Sequence, residues 1–239
     1  MVHKAGQAGR STREMAGKRR FSAIMIAVIA MVLVIVIYFV MQNHNALGIG
    51  GIGLLVLLVL TRVIPDIVET KVNRKKKEER RAVRGAIAEE KVAGFLEGLG
   101  EDYCVFHDIV SPYGNIDHVV LGKDNGVFLI ETKSHGGKVS VTDGHLLVNG
   151  KPPEKDFIAQ TLKNTYWLRD KISEIIGVKV WFTPVLVFTN AFVPPTKPIK
   201  GVFIINKKYL NLLIEKRKAP VEIAAKVWEA RGDIEAILF

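Results

Sequence analysis

From Phe21 to Thr61 the chain runs for 41 residues without an Asp, Glu, Lys or Arg. A membrane-spanning helix needs about 20 apolar residues, so the run is long enough for two. It divides at the polar stretch Gln42-Asn43-His44-Asn45. The pattern predicts a two-helix transmembrane hairpin with spans at about 21–41 and 46–64. A cleaved signal peptide does not fit, because its apolar region is only about 7–15 residues long.

The flanks set the expected orientation. Residues 1–20 hold six Lys/Arg against one acid, and residues 62–84 hold nine against four, so each flank carries +5. Lys and Arg beside a span stay on the cytoplasmic side. The expectation is a two-span protein of the cell (plasma) membrane with both termini in the cytoplasm. The two flanks account for the whole net charge of +10, and residues 85–239 are neutral, with 19 basic and 19 acidic residues. The basic balance is therefore a topology signal first. The cluster Asn73-Arg74-Lys75-Lys76-Lys77 suits the anionic surface of a lipid bilayer before a nucleic-acid backbone. Ala23 and Ala27, then Ala46 and Gly50, repeat at four-residue spacing. Small residues let membrane helices approach closely, so the spans should pack together, and the same surface would serve a homodimer. The single Cys104 excludes an internal disulfide and a cysteine-based zinc site; it reads as a small buried hydrophobe.

The expected order is a basic cytoplasmic tail (1–20), the hairpin (21–64), a basic juxtamembrane linker helix (65–84) and one cytoplasmic domain (85–239). Ile87, Val92, Phe95, Leu96 and Leu99 recur at helical spacing, which predicts a helix over 86–99. Glu89 falls beside Val92 and Leu96 and faces the core, whereas Glu90 points to solvent. Strands are predicted at 103–110, 115–121 and 127–133. A hairpin follows at 138–142 and 145–149 across Asp143-Gly144, a strong turn signal. Then come a helix over 156–176 bearing Gln160 and Asn164, strands at 181–189 and 201–205, and helices near 207–216 and 219–237. Mixed helices and strands in a stretch of this size predict a single α/β domain.

Asp117, Glu131 and Lys133 sit in strands that otherwise read as buried. A buried carboxylate without a partner is costly, so these residues need a reason. Alternation puts Glu131 and Lys133 on one face. Asp117 joins them only if Leu121 pairs with Val127; a one-residue slip would separate them. Two carboxylates on neighbouring strands can hold a hard divalent cation, Mg²⁺ or Mn²⁺. A lysine beside them can stabilise charge on a phosphate.

The ordered set helix-Glu, strand-Asp, strand-Glu-x-Lys, helix-Gln resembles the PD-(D/E)xK nuclease superfamily and, within it, the nuclease-related domain (NERD). The resemblance covers roughly residues 82–190. It rests on Gly85-Ala86-Ile87-Ala88-Glu89, His107-Asp108-Ile109-Val110, Gly114-Asn115-Ile116-Asp117-His118, Phe128-Leu129-Ile130-Glu131-Thr132-Lys133-Ser134 and Gln160 with Asn164. Asn115 stands where the superfamily's proline would be. The resemblance implies a restriction-endonuclease-like fold, a mixed central sheet flanked by helices. It implies Asp117 and Glu131 as metal ligands, Lys133 as the catalytic lysine, Glu89 as an accessory catalytic acid or metal ligand, and Gln160 as an orienting catalytic residue. The activity implied is metal-dependent hydrolysis of phosphodiester bonds, with nucleic acid as partner, DNA before RNA. Two other readings compete. The domain could be a non-catalytic, membrane-tethered nucleic-acid-binding or scaffold module with a nuclease-like fold. His107, Asp108, His118 and His135 could belong to a His/Asp metal hydrolase, but His118 should face away from Asp117 and His107 reads as a hydrogen-bonded strand residue.

Overall fold

The computed structural model describes residues 1–239. The chain divides into two compact units, Thr12–Val83 and Met1–Ser11 with Arg84–Phe239.

The smaller unit is helical. Helix α1 spans Arg10–Gln42 and α2 spans Gly51–Leu96, so each runs across the edge of the unit. Both are long and apolar enough to cross a membrane. Large apolar side chains such as Phe21, Leu33, Phe39 and Leu55 are exposed along them. Helix α1 buries Ala16, Ala23 and Ile37, a narrow stripe of mostly small residues. Toward the basic ends, the Arg19 guanidinium donates to the Glu78 carbonyl at 2.9 Å. Two expectations need correction. The second helix starts at Gly51, so Ala46 and Gly50 lie in the connection and cannot form a helical packing face. The helix also continues from the apolar stretch through Pro65 and the basic linker to Leu96.

The larger unit is a mixed α/β layer structure. Its strands are β1 (His3–Ala5), β2 (Tyr103–Ile109), β3 (Ile116–Gly122), β4 (Gly126–Thr142), β5 (His145–Val148), β6 (Phe182–Phe192) and β7 (Phe203–Asn206). Its helices, besides the end of α2, are α3 (Phe157–Ile176), α4 (Leu210–Lys216), α5 (Val221–Glu229) and α6 (Arg231–Leu238). The seven strands form one sheet in the order β1-β2-β3-β4-β6-β7, with β5 paired to β4. β2, β3 and β4 are antiparallel, β4, β6 and β7 parallel, and β1 runs parallel to β2. β1 overturns part of the expected tail: residues 3–5 are an edge strand and Val2 is buried in the core. A three-residue strand has no periodicity to read.

Alternation sorts the sheet into two faces. Val105, Val120, Phe128, Ile130, Val185 and Val187 pack against Val92 and Leu96 of α2 and Leu210 and Ile214 of α4. Phe106, Val119, Leu121, Val127 and Leu129 pack on the other face against Leu168 and Ile172 of α3, Val227 of α5 and Ile234 of α6. Ile87 and Phe95, expected in the α2 stripe, are exposed instead; Ala86, Ala88 and Ala93 take the buried positions beside Val92 and Leu96. The expected C-terminal helix breaks at Ala230 into α5 and α6.

Candidate active site at the β3–β4 end of the sheet

Register decides this site. Leu121 pairs with Val127 and His118 with Ile130. The next step along the two strands brings Asp117 level with Glu131. The turn that fixes this pairing is short: Gly122 pairs with Gly126, whose φ is +83°. A side chain at Gly126 would be strained in that conformation and its Cβ would meet Ala219 at 2.9 Å. Glu131 and Lys133 continue the Val127 and Leu129 face, and Asp117 continues the Val119 and Leu121 face. All three therefore lie on the side covered by α3. Beyond Lys133 the β4–β6 pairing shifts register before resuming at Gly136, so the Glu-x-Lys segment ends the regular ladder. Such irregularities re-aim side chains next to sites.

Helix α3 supplies the fourth group. Asp156 caps it by accepting from the Ala159 N–H, and Gly177 ends it at φ +72°. That start fixes Gln160 one turn in. Lys133 Nζ lies 2.7 Å from Glu131 Oε1 and 3.3 Å from Gln160 Oε1. Gln160 Nε2 donates to the same Glu131 Oε1 at 2.9 Å. The Lys133 ammonium also rests 4.6 Å from the Phe157 ring centre, which favours a partly desolvated cation. On the neighbouring strand the Thr132 N–H donates to Asp117 Oδ2 at 2.6 Å.

The cluster is unbalanced. Lys133 and Gln160 both serve Oε1 of Glu131, while its Oε2 is buried and has no hydrogen-bond partner. Asp117 is held well above the ordinary carboxylate range, first by burial and then by the charges of Glu131 and Glu89. Lys133 and the Thr132 N–H pull the other way without cancelling this. Glu89 is buried on α2, the helix that covers the opposite face. It reaches Asp117 through its field, which is the physical content of its expected place in the core. Glu90 is half-buried. A cation placed beside an orphaned carboxylate oxygen and an acid pushed toward its protonated form would compensate both. The donor set fits a hard divalent metal. No group of three or more His, Cys, Asp or Glu side chains is gathered into a ready cage. Mg²⁺ does not need one, since it keeps waters and often takes only one or two carboxylates.

Residues 84–189 match the family model of the nuclease-related domain, NERD. Over that stretch the chain is similar to nuclease-related domains. Among curated proteins and among solved structures, none matches. The NERD match contains Glu89, Asp117, Glu131, Lys133 and Gln160, and leaves β1, β7 and α4 to α6 outside it.

Two polar arrangements around this cluster were not legible in detail from the sequence. His107 Nδ1 and His118 Nδ1 are 2.8 Å apart, with the rings edge to face. Burial lowers His107 to about 4, helped by Lys4. Burial, then His107, lowers His118 well below its ordinary value. His118 faces away from Asp117, as alternation requires. The second arrangement is a clasp. Asp108, at φ +57°, accepts from the Ser11 N–H at 2.8 Å and from Asn115 Nδ2 at 2.7 Å. Asn115 Nδ2 also donates to Ser11 Oγ at 2.6 Å. The residue in the proline position thus ties the start of β3 to the N-terminal segment. Asp108 was visible in the sequence as part of a motif, but its partner lies 97 residues away and no local pattern announces it.

Proposed function

We propose that the protein is a membrane-anchored, metal-dependent nuclease that hydrolyses phosphodiester bonds of nucleic acid on the cytoplasmic side. The observation that carries this reading is the orphaned Glu131 Oε2 beside an Asp117 whose carboxyl favours its proton. A purely structural domain gains nothing from that expense. Asp117 and Glu131 would hold Mg²⁺ or Mn²⁺, with Glu89 adding negative charge behind them. Such a cation, when bound, polarises a phosphoryl oxygen and makes a bound water more acidic. Gln160 contacts both Glu131 and Lys133 through its amide. Lys133 would offer its ammonium to the phosphate's developing charge.

The membrane part of the reading is supported by the two long apolar helices, their basic flanks and the N-terminal strand. That residues 1–11 and 84–239 belong to one compact unit supports both ends of the helical pair lying on one side of the bilayer. The positive flanks favour the cytoplasm as that side. DNA is the preferred substrate, and lipid is the second partner.

The test is cleavage of supercoiled plasmid, single-stranded DNA and RNA by the full chain in nanodiscs, with Mg²⁺, Mn²⁺ or chelator. Metal-dependent cutting that Lys133→Ala abolishes is the expected result. Folded protein that cuts nothing, and whose melting temperature ignores both metals, would instead favour the tethered scaffold.

A further inference from the structure

Along α3, one edge of the helix runs from Gln160 through Lys163, Trp167 and Lys171 at spacings of three and four residues, a continuous stripe. The stripe, with Tyr166 of the same helix, forms one wall of a cleft of about 300 Å³ whose other wall is Tyr113, from the loop between β2 and β3. Tyr113 and Tyr166 are about half exposed, at 53% and 50%. Trp167 is half-buried, with part of its indole in the core.

The charges in the cleft are not equivalent. Asp170 is held by Arg169 at 2.7 Å and Glu174 by Lys171 at 3.4 Å. Arg169 in turn stacks near the Tyr166 ring, 5.1 Å from its centre. Lys163 is exposed and forms none of these pairs. It stands one turn beyond Gln160.

The Tyr113 wall is fixed in place. Ser111 Oγ lies 2.8 Å from Asn164 Oδ1 and accepts from the Tyr113 N–H at 3.1 Å. Asn164, fully buried on α3, therefore positions the loop that carries the exposed ring, and does so one turn from Gln160.

We propose that this cleft is a track for an unpaired nucleic-acid strand leading to the Asp117–Glu131 site. Flat exposed rings on both walls suit bases that have left a duplex, and the free Lys163 suits the phosphate next to the site. A duplex keeps its base faces stacked and cannot use the rings. The inference rests on the nucleolytic reading and deepens it: the substrate presents single-stranded nucleotides at the point of cleavage.

The test uses the full chain in nanodiscs, carrying Lys133→Ala so that probes are not consumed. Binding of labelled oligo-dT, oligo-rU and a blunt DNA duplex is measured by anisotropy. Tyr113→Ala with Tyr166→Ala, and separately Lys163→Glu, should weaken both single-stranded probes about 10-fold and leave the duplex within a factor of two. Tyr166→Phe, which keeps the ring, should restore binding in the Tyr113-intact protein. The DNA and RNA arms tell which sugar the track prefers. Equal binding by parent and cleft variants, or equal weakening of duplex and single strand, would overturn the inference. The nucleolytic reading would still stand if the Lys133-intact parent cuts nucleic acid. A parent that binds no nucleic acid in any form would remove both.

Discussion

Asp117 and His118 are neighbours in β3 and belong to opposite kinds of buried polar cluster. On the His118 side, two imidazoles made neutral by burial bond to each other. Neither ring needs a counter-charge, although His118 Nε2 is buried without a partner. On the Asp117 side, two acids share one lysine, Glu89 adds its field from α2, and a carboxylate oxygen is buried without a partner. A neutral pair can be enclosed at modest cost, whereas an unbalanced anionic cluster stays buried only if something compensates it. One residue along a strand is enough to separate a neutral pair from an unbalanced anionic cluster.

The sharpest way to break that contrast is Lys133→Ala. Cleavage should fall at least ~100-fold, while metal still raises the melting temperature, because the carboxylates remain. If the metal response disappears as well, Lys133 is part of the scaffold and the two clusters are alike. The framework side is probed by His118→Ala, which should cost about 3 kcal/mol in urea unfolding and leave the metal response of the folded protein unchanged.

Acid titration separates the clusters by sign. The folded His107 value of about 4 lies below its ordinary 6.5, so the unfolded chain takes up the proton first. The associated stability is complete above pH 6.5 and is lost as pH falls toward 4, up to about 3 kcal/mol. His107→Gln should flatten that slope in melts followed by circular dichroism. Asp117 has the reverse sign. Its raised value means that the metal-free fold loses stability as pH rises from the ordinary carboxylate range through the raised one. The smallest effect follows: at neutral pH without metal, Asp117→Asn should melt modestly higher than the parent, and adding Mn²⁺ should no longer shift it. A metal-free Asp117→Asn protein that melts lower would mean the carboxylate is already compensated within the fold.

The strands that carry the site were legible because their chemistry is local. Alternation placed Glu131 and Lys133 together, and the Leu121–Val127 pairing needed only a short turn. The apolar run and its flanks were equally plain. What could not be read depends on distant partners. β1 is three residues long and exists only because the edge of β2 accepts it. Asn115 looked like a missing proline until Ser11 and Asp108 appeared beside it. Asn164 read as a companion of Gln160, whereas it holds the β2–β3 loop. The connection through Ala46 and Gly50 looked helical by small-residue spacing. The chain instead gives those positions to the turn, where glycine's freedom at Gly48, φ +65°, is used.

β1 also bears on how the fold is assembled. His3 pairs with Cys104, so the edge strand and its docking site are separated by about a hundred residues of chain. Closing a flexible loop of that length would leave a three-residue strand at low effective concentration and mostly undocked. The helical pair removes most of that loop, because α1 and α2 return the chain to within a hydrogen bond of where it left, at Arg19 and Glu78. The hairpin therefore acts as a tether that keeps a weak strand within reach of its sheet. A fragment that begins after the hairpin would lose both tether and strand, and would present the bare edge of β2 to its neighbours as a template for pairing.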